Sequence, residues 1–82
     1  MKWFSRYTDQ DDSEHVVGGF GTEAEATAAG DEAEANGCTI IDRAYQEADN
    51  HGRTWQVVAV AVATRPDGVY EIYSDGSEKL LA

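Results

Sequence analysis

The side chains able to hold a soft metal or act as an imidazole base are few: His15, Cys38 and His51. Their spacing matches no zinc-site pattern, although folding could bring two of them together. Asp9, Asp11 and Asp12 resemble the opening of a calcium loop, but the glycine and closing glutamate of such a loop are missing at the right offsets. Loop acidity is the simpler reading, and no metal is expected.

Nucleophilic catalysis needs a base placed beside Cys38 or a serine. Cys38 has no basic neighbour in sequence and falls where a helix ends, away from the positive end of the dipole. It reads as a small buried apolar residue. The run GGFG at residues 18–21 precedes a helix start, where an anion can sit. Yet Thr22 caps that start, Glu23 and Glu25 surround it with negative charge, and no lysine follows. Gly18, Gly19 and Gly21 are therefore expected to supply backbone freedom. Carboxylates are plentiful, but nothing singles out a pair inside an apolar pocket. No catalytic residue or cofactor is expected, and the chain reads as a non-enzyme.

Charge is the more informative signal. The chain carries 16 Asp and Glu against 6 Lys and Arg, a formal net charge of -10. Asp9, Asp11, Asp12, Glu14, Glu23, Glu25, Asp31, Glu32 and Glu34 follow one another with no Lys or Arg among them. Such a surface repels nucleic acid and anionic membrane and attracts basic protein surfaces. Arg6, Arg43, Arg53 and Arg65 are too sparse to track a nucleic-acid backbone and are expected to pair with nearby carboxylates. The expected function is an acidic protein-binding module that uses these nine carboxylates. Its sharpest form is an inhibitor, of the kind a virus or other mobile element carries, whose carboxylates stand in for phosphates on a nucleic-acid-binding surface. The alternatives are a structural, dimer-forming protein whose acidity serves solubility or salt adaptation, and a small-molecule binder, which would need an apolar pocket with convergent polar groups.

The elements that would position these residues follow from pattern. At 82 residues one small domain is expected, hiding only about 60–65% of the surface its unfolded form exposes. The single cysteine excludes an intrachain disulfide. Residues 2–4, KWF, lead into no apolar signal-peptide core, so a cytoplasmic protein is the expectation. The longest apolar run, TWQVVAVAVAT at residues 54–64, is too short to cross a membrane as a helix. Its β-branched content and the Arg65-Pro66-Asp67-Gly68 turn after it favour a central strand apolar on both faces, with a buried helix segment as the competing reading.

Residues 2–8 are expected as a first strand, with Trp3, Ser5 and Tyr7 facing one way and Phe4 and Arg6 the other. His15, Val16 and Val17 suggest a short return strand. Thr22 with Glu25 makes a capping box for a helix over residues 23–36, closed by Gly37. Ala26, Ala29 and Ala33 form one stripe of that helix and Ala24, Ala28 and Ala35 another; alanine contributes little buried area, so the helix is weakly held. Residues 38–46 and 69–74 complete the strands, and residues 78–82 form a tail able to add an edge strand. In 38–46, Thr39, Ile41, Arg43 and Tyr45 are expected on one face and Ile40, Asp42 and Ala44 on the other; in 69–74, Tyr70 and Ile72 oppose Val69, Glu71 and Tyr73.

The fold class is therefore α+β: an antiparallel sheet of three to five strands with one alanine-rich helix packed on one face, in the order β-(β)-α-β-β-β. One helix covers one face only. A homodimer meeting through the other face, anchored by exposed aromatics, is the corresponding expectation.

Overall fold

The computed structural model describes residues 2–46, 61–62, 64–65, 68–73 and 75–82. The elements are β1 (Trp3–Thr8), β2 (Glu14–Phe20), α1 (Glu23–Ala35), β3 (Thr39–Gln46), β4 (Tyr70–Tyr73) and β5 (Glu78–Leu80). The expected α+β class holds: one 5-stranded antiparallel sheet carries a single packed helix.

The strand order is β3-β1-β2-β4-β5, which is not a simple meander. Only β1–β2 and β4–β5 are joined as sequential hairpin neighbours. Strands β2 and β3 flank β1 and run parallel to each other, so α1 is the crossover between them. Among the described residues, the sheet neighbour of β3 is β1.

Helix α1 starts and stops as its sequence requires. Thr22 has an extended backbone, and its hydroxyl accepts from the Glu25 backbone N–H at 3.2 Å. That hydroxyl also donates to Glu25 Oε1 at 2.9 Å, so the reciprocal arm of the capping box goes to the side chain of Thr22. At the other end Gly37 takes φ +91, Gly37 N–H bonds to Glu34 O and Cys38 N–H to Ala33 O. These are the two bonds of a Schellman closure, which needs a residue without a Cβ penalty at that position.

The expected stripe faces the sheet: Ala26, Gly30 and Ala33 are the buried residues of α1. Gly30 has a packing reason beyond its low propensity. A Cβ there would lie 3.3 Å from Arg43 Cγ and 3.4 Å from Ser5 Oγ, so the glycine lets the helix settle onto β1 and β3. Ser5, fully buried, ties the layers together: its hydroxyl donates to Ala26 O at 2.7 Å and accepts from Ala44 N at 3.0 Å.

The opposite face corrects the largest expectation. Ala61 and Val62 are helical, not extended, and Arg65 N–H bonds to Val62 O at 3.0 Å. The remainder of the expected strand, residues 54–60, lies outside the described residues, as do Trp55, the 47–53 connection and Pro66 and Asp67 of the turn. Val62 joins Phe4, Val16, Tyr45 and Ile72 in one buried cluster, with Tyr70 packed against it. Valine-rich alternation does not by itself distinguish a strand from a buried helical segment when both are apolar all round. At Phe4, Val16, Tyr45 and Ile72 this face packs against Val62 of the same chain.

Strand β2 is longer than its three expected residues because its glycines belong to the sheet. A Cβ on Gly18 would stand 2.0 Å from Phe4 Cδ2, so the Phe4 ring occupies the space a side chain would need. Gly19 takes φ +102 and marks an irregularity opposite the Trp3/Phe4 register shift, which brings Phe20 to the helix side with Val17.

Candidate functional site

The acidic residues divide by what already holds them. In the β1–β2 turn, Asp9 Oδ1 accepts from Gln10 N–H at 2.6 Å and Asp11 Oδ1 from Ser13 N–H at 3.0 Å. The Ser13 bonds keep the Asp11 carboxyl below the ordinary aspartate range. Asp12 sits at φ 66, the left-handed corner of the turn. Asp9, Asp11 and Asp12 are exposed, while Glu14 enters β2 half-buried. On α1, Arg43 reaches Asp31 at 2.9 Å and Glu34 at 3.1 Å. Asp12, Glu23 and Glu32 have no ion pair or side-chain hydrogen bond among the described residues.

The fold brings part of this set together. Gln10 lies over Gly37, where a Cβ would be 2.4 Å from its Nε2, so the aspartate turn abuts the C-terminal end of α1. Asp31, Glu32 and Glu34 occupy that half of the helix. Glu23 and Glu25 lie at its other end, about 15 Å along the axis at 1.5 Å per residue.

A second constellation lies on the helix side of the sheet. Tyr7 donates its hydroxyl to Glu71 Oε2, and Tyr73 donates to Glu71 Oε1 at 2.6 Å. His15 stands between the two phenols, stacked on Tyr7 with ring centroids 5.3 Å apart and edge-on to Tyr73 at 4.6 Å. Its Nε2 is 3.7 Å from Asp9 Oδ2, and both ring nitrogens are buried without a hydrogen-bond partner among the described residues. Strand alternation explains the meeting: Tyr7 faces His15 across β1–β2, His15 faces Tyr73 across β2–β4, and Val17 faces Glu71.

The electrostatics of this group are fixed by its hydrogen bonds. Burial works to raise the Glu71 carboxyl, but the bonds from Tyr7 and Tyr73 outweigh it and hold the group below the ordinary glutamate value. Burial, then the bond to Glu71, pushes the Tyr7 phenol well up. For Tyr73 the bond to Glu71 leads. Burial and the nearby Asp9 and Glu71 push the Cys38 thiol up as well, the opposite of what a thiolate nucleophile requires. The cluster thus holds a fixed anion, with its two phenolic protons committed to it. Among the described residues, no group of three or more His, Cys, Asp or Glu side chains could hold a metal ion.

Glu71 and Tyr7 also line an open groove of about 560 Å³ between α1, β2, β4 and residues 81–82. Val17, Phe20, Ala29, Ala33, Val69 and Leu81 give it apolar walls, and Glu25 and Glu32 its acidic rim. The groove exists because alanines leave unfilled the space that larger side chains would take.

Sequence reasoning placed Tyr7, and the pair Glu71 and Tyr73, on the correct faces without linking them. The usable signal was Glu71, a carboxylate inside the aromatic strand VYEIY on the face that also carries a tyrosine. The strand aromatics are packed: Phe4, Tyr7 and Tyr45 are buried, and Trp3, Tyr70 and Tyr73 are partly covered. Among the described residues no helix is long and apolar enough to cross a membrane. Comparison with known proteins gives no match to a family model, a curated protein or a solved structure.

Proposed function

We propose that the protein is an acidic binding module that docks on a basic protein surface, and that a nucleic-acid-binding surface is the sharpest instance of such a target. The observation that carries this reading is the distribution of charge. Of the described arginines, Arg6 pairs with Asp42, Arg43 with Asp31 and Glu34, and Arg65 with Glu78. These three arginines are thus engaged by carboxylates of β3, α1 and β5, while Asp9, Asp11 and Asp12 in the turn and Glu23 and Glu32 on α1 remain exposed carboxylates. The turn abuts the end of α1, so docking would cost little ordering. The sequence-derived set Asp9, Asp11, Asp12, Glu14, Glu23, Glu25, Asp31, Glu32 and Glu34 narrows accordingly. Asp12, Glu23 and Glu32 are the residues with most to gain from a basic partner.

The test is capture of host proteins on the immobilised protein at about 0.05 M and 0.5 M salt, a range over which screening of exposed charges is strong. It is followed by asking whether a captured protein loses nucleic-acid binding when this one is added. Charge reversal at Asp12, Glu23 and Glu32 should abolish both capture and competition. Capture that survives high salt and the triple reversal would defeat the reading. A fold that strengthens with salt, and captures nothing, would favour salt adaptation instead.

A further inference from the structure

The groove beneath α1 is a site of a different kind from the acidic exterior. Its volume of about 560 Å³ falls in the range of small-ligand sites. Its walls are apolar at Val17, Phe20, Ala29 and Leu81, and its polar side chains are Tyr7, Asn36 and three carboxylates, Glu25, Glu32 and Glu71. Among the described residues, those lining it include no Lys, Arg or His. Lys79 stands across from Glu71 in the β4–β5 register, but on an exposed edge strand and not in the lining.

Glu71 is the polar centre of the groove. It is half-buried, and each of its oxygens already accepts one phenolic proton, from Tyr7 and Tyr73. These bonds fix the carboxylate in orientation without neutralising it, and each oxygen keeps a further lone pair to accept from a ligand. A neutral apolar molecule would leave this anion covered and unpaired, which is costly. A carboxylate or phosphate ligand would meet three like charges. An ammonium on an apolar body satisfies both the walls and the anion.

We propose that the groove binds a small amphipathic cation, an alkyl- or arylammonium, with the charged head at Glu71 and Tyr7 and the apolar body against Val17, Phe20 and Ala29 beneath α1. The groove shares Glu32 with the proposed docking surface, but its charged centre, Glu71, is not part of that surface, so Glu71→Gln tests the groove alone.

The experiment is an amide-resolved NMR titration of the whole chain with phenethylammonium, using phenethyl alcohol as the neutral match. Saturable shifts are expected at Val17, Ala29 and Leu81, with the ammonium about tenfold tighter than the alcohol. Glu71→Gln should bring the two probes to equal affinity. Because that change also disturbs two phenols, a second variant acts from the solvent side: Ala28 is exposed and lines the groove, so Ala28→Trp should block both probes while leaving the fold intact. Equal affinity for the two probes in the natural protein would overturn the proposal. So would shifts confined to Asp11 and Asp12, or binding unchanged by Ala28→Trp.

Discussion

The two faces of one sheet are filled by opposite means. On one side Phe4 and Val16, both 0% exposed, meet Tyr45, Ile72 and Val62 in a core of large side chains. On the other, α1 presents Ala26, Gly30 and Ala33, and the sheet answers with Ser5, Tyr7, His15 and Glu71. The first face is held by area removed from water; the second adds hydrogen bonds and close approach of backbone to a smaller apolar cluster of Tyr7, Val17 and Ala33. The difference has a consequence for function. A face packed with large apolar groups has no room for a ligand, whereas alanines over a polar cluster leave both a groove and an anion to recognise something in it.

The comparison is broken most directly at Phe4. Phe4→Ala should cost about 3–5 kcal/mol, because the ring is enclosed by the core cluster and its removal leaves a cavity. Urea unfolding followed by circular dichroism measures it. Gly18→Ala attacks the same contact from the other strand, since the new Cβ would fall 2.0 Å from Phe4 Cδ2. The pair Phe4→Leu with Gly18→Ala should be less damaging than the two single costs added together, as residues in contact couple. Strict additivity would mean the ring is not what excludes the methyl group.

On the helix side the expected losses are smaller. Tyr7→Phe removes one donor to Glu71 and should cost about 1–2 kcal/mol, the low end for a bond to a charged group because the groove admits water to the oxygen left behind. In a double-mutant cycle with Glu71→Gln the two changes should be strongly non-additive. Independent effects would show that the bond contributes nothing to the fold.

The same bond predicts a pH response with a defined sign. The Glu71 carboxyl is held below its ordinary value, so the folded state binds fewer protons than the unfolded state across that window. Its contribution is complete above the unfolded value near pH 4.3 and is lost as pH falls through the folded value. Asp11, Asp75 and Glu78 are depressed as well and add to the same acid limb. Glu71→Gln should therefore flatten the acid limb without abolishing it. At the alkaline end the sign reverses. The raised Tyr7 and Tyr45 phenols give stability that is present below about pH 10 and lost above it, which phenolate absorbance during unfolding would detect.

How much of this could be read from sequence depends on which interactions were local. The helix ends were legible because Thr22, Glu25 and Gly37 act within a few residues of one another. So was the face assignment of β1 and β4, where alternation is unbroken through Tyr7 and through Glu71 and Tyr73. Pairing was not legible: nothing in residues 39–46 says that β1 is their neighbour. The link between Tyr7 and Glu71 spans 64 positions and depends on that pairing. The acidic surface was visible as composition, but Arg43 bridging Asp31 and Glu34 required the register of β3 under α1.

The irregularity in β3 separates the two faces, and it supplies the smallest predicted effect. Expected alternation puts Arg43 and Tyr45 on one side. In the structure Phe4 pairs with Tyr45 and Arg6 with Asp42, so Arg43 and Ala44 together stand against Ser5. This is a bulge, and Ala44 takes φ 56 within it. The extra residue sends Arg43 up to Asp31 and Glu34 on α1 while Tyr45 turns down to Phe4, 5.8 Å between ring centroids. A left-handed alanine costs about 1–2 kcal/mol, and glycine avoids that cost but gives up more entropy on folding. Ala44→Gly should therefore stabilise the protein by about 0.5 kcal/mol, and Ala44→Val should destabilise it by more than that. Both changes keep the N–H that Ser5 Oγ accepts, so Ser5→Ala should lower stability in either background. If glycine is no better than alanine while Ser5→Ala is still costly, the hydrogen bond alone pins the bulge. If both are neutral, β3 can revert to regular alternation, and the division between a packed face and a recognising one does not depend on this turn of the chain.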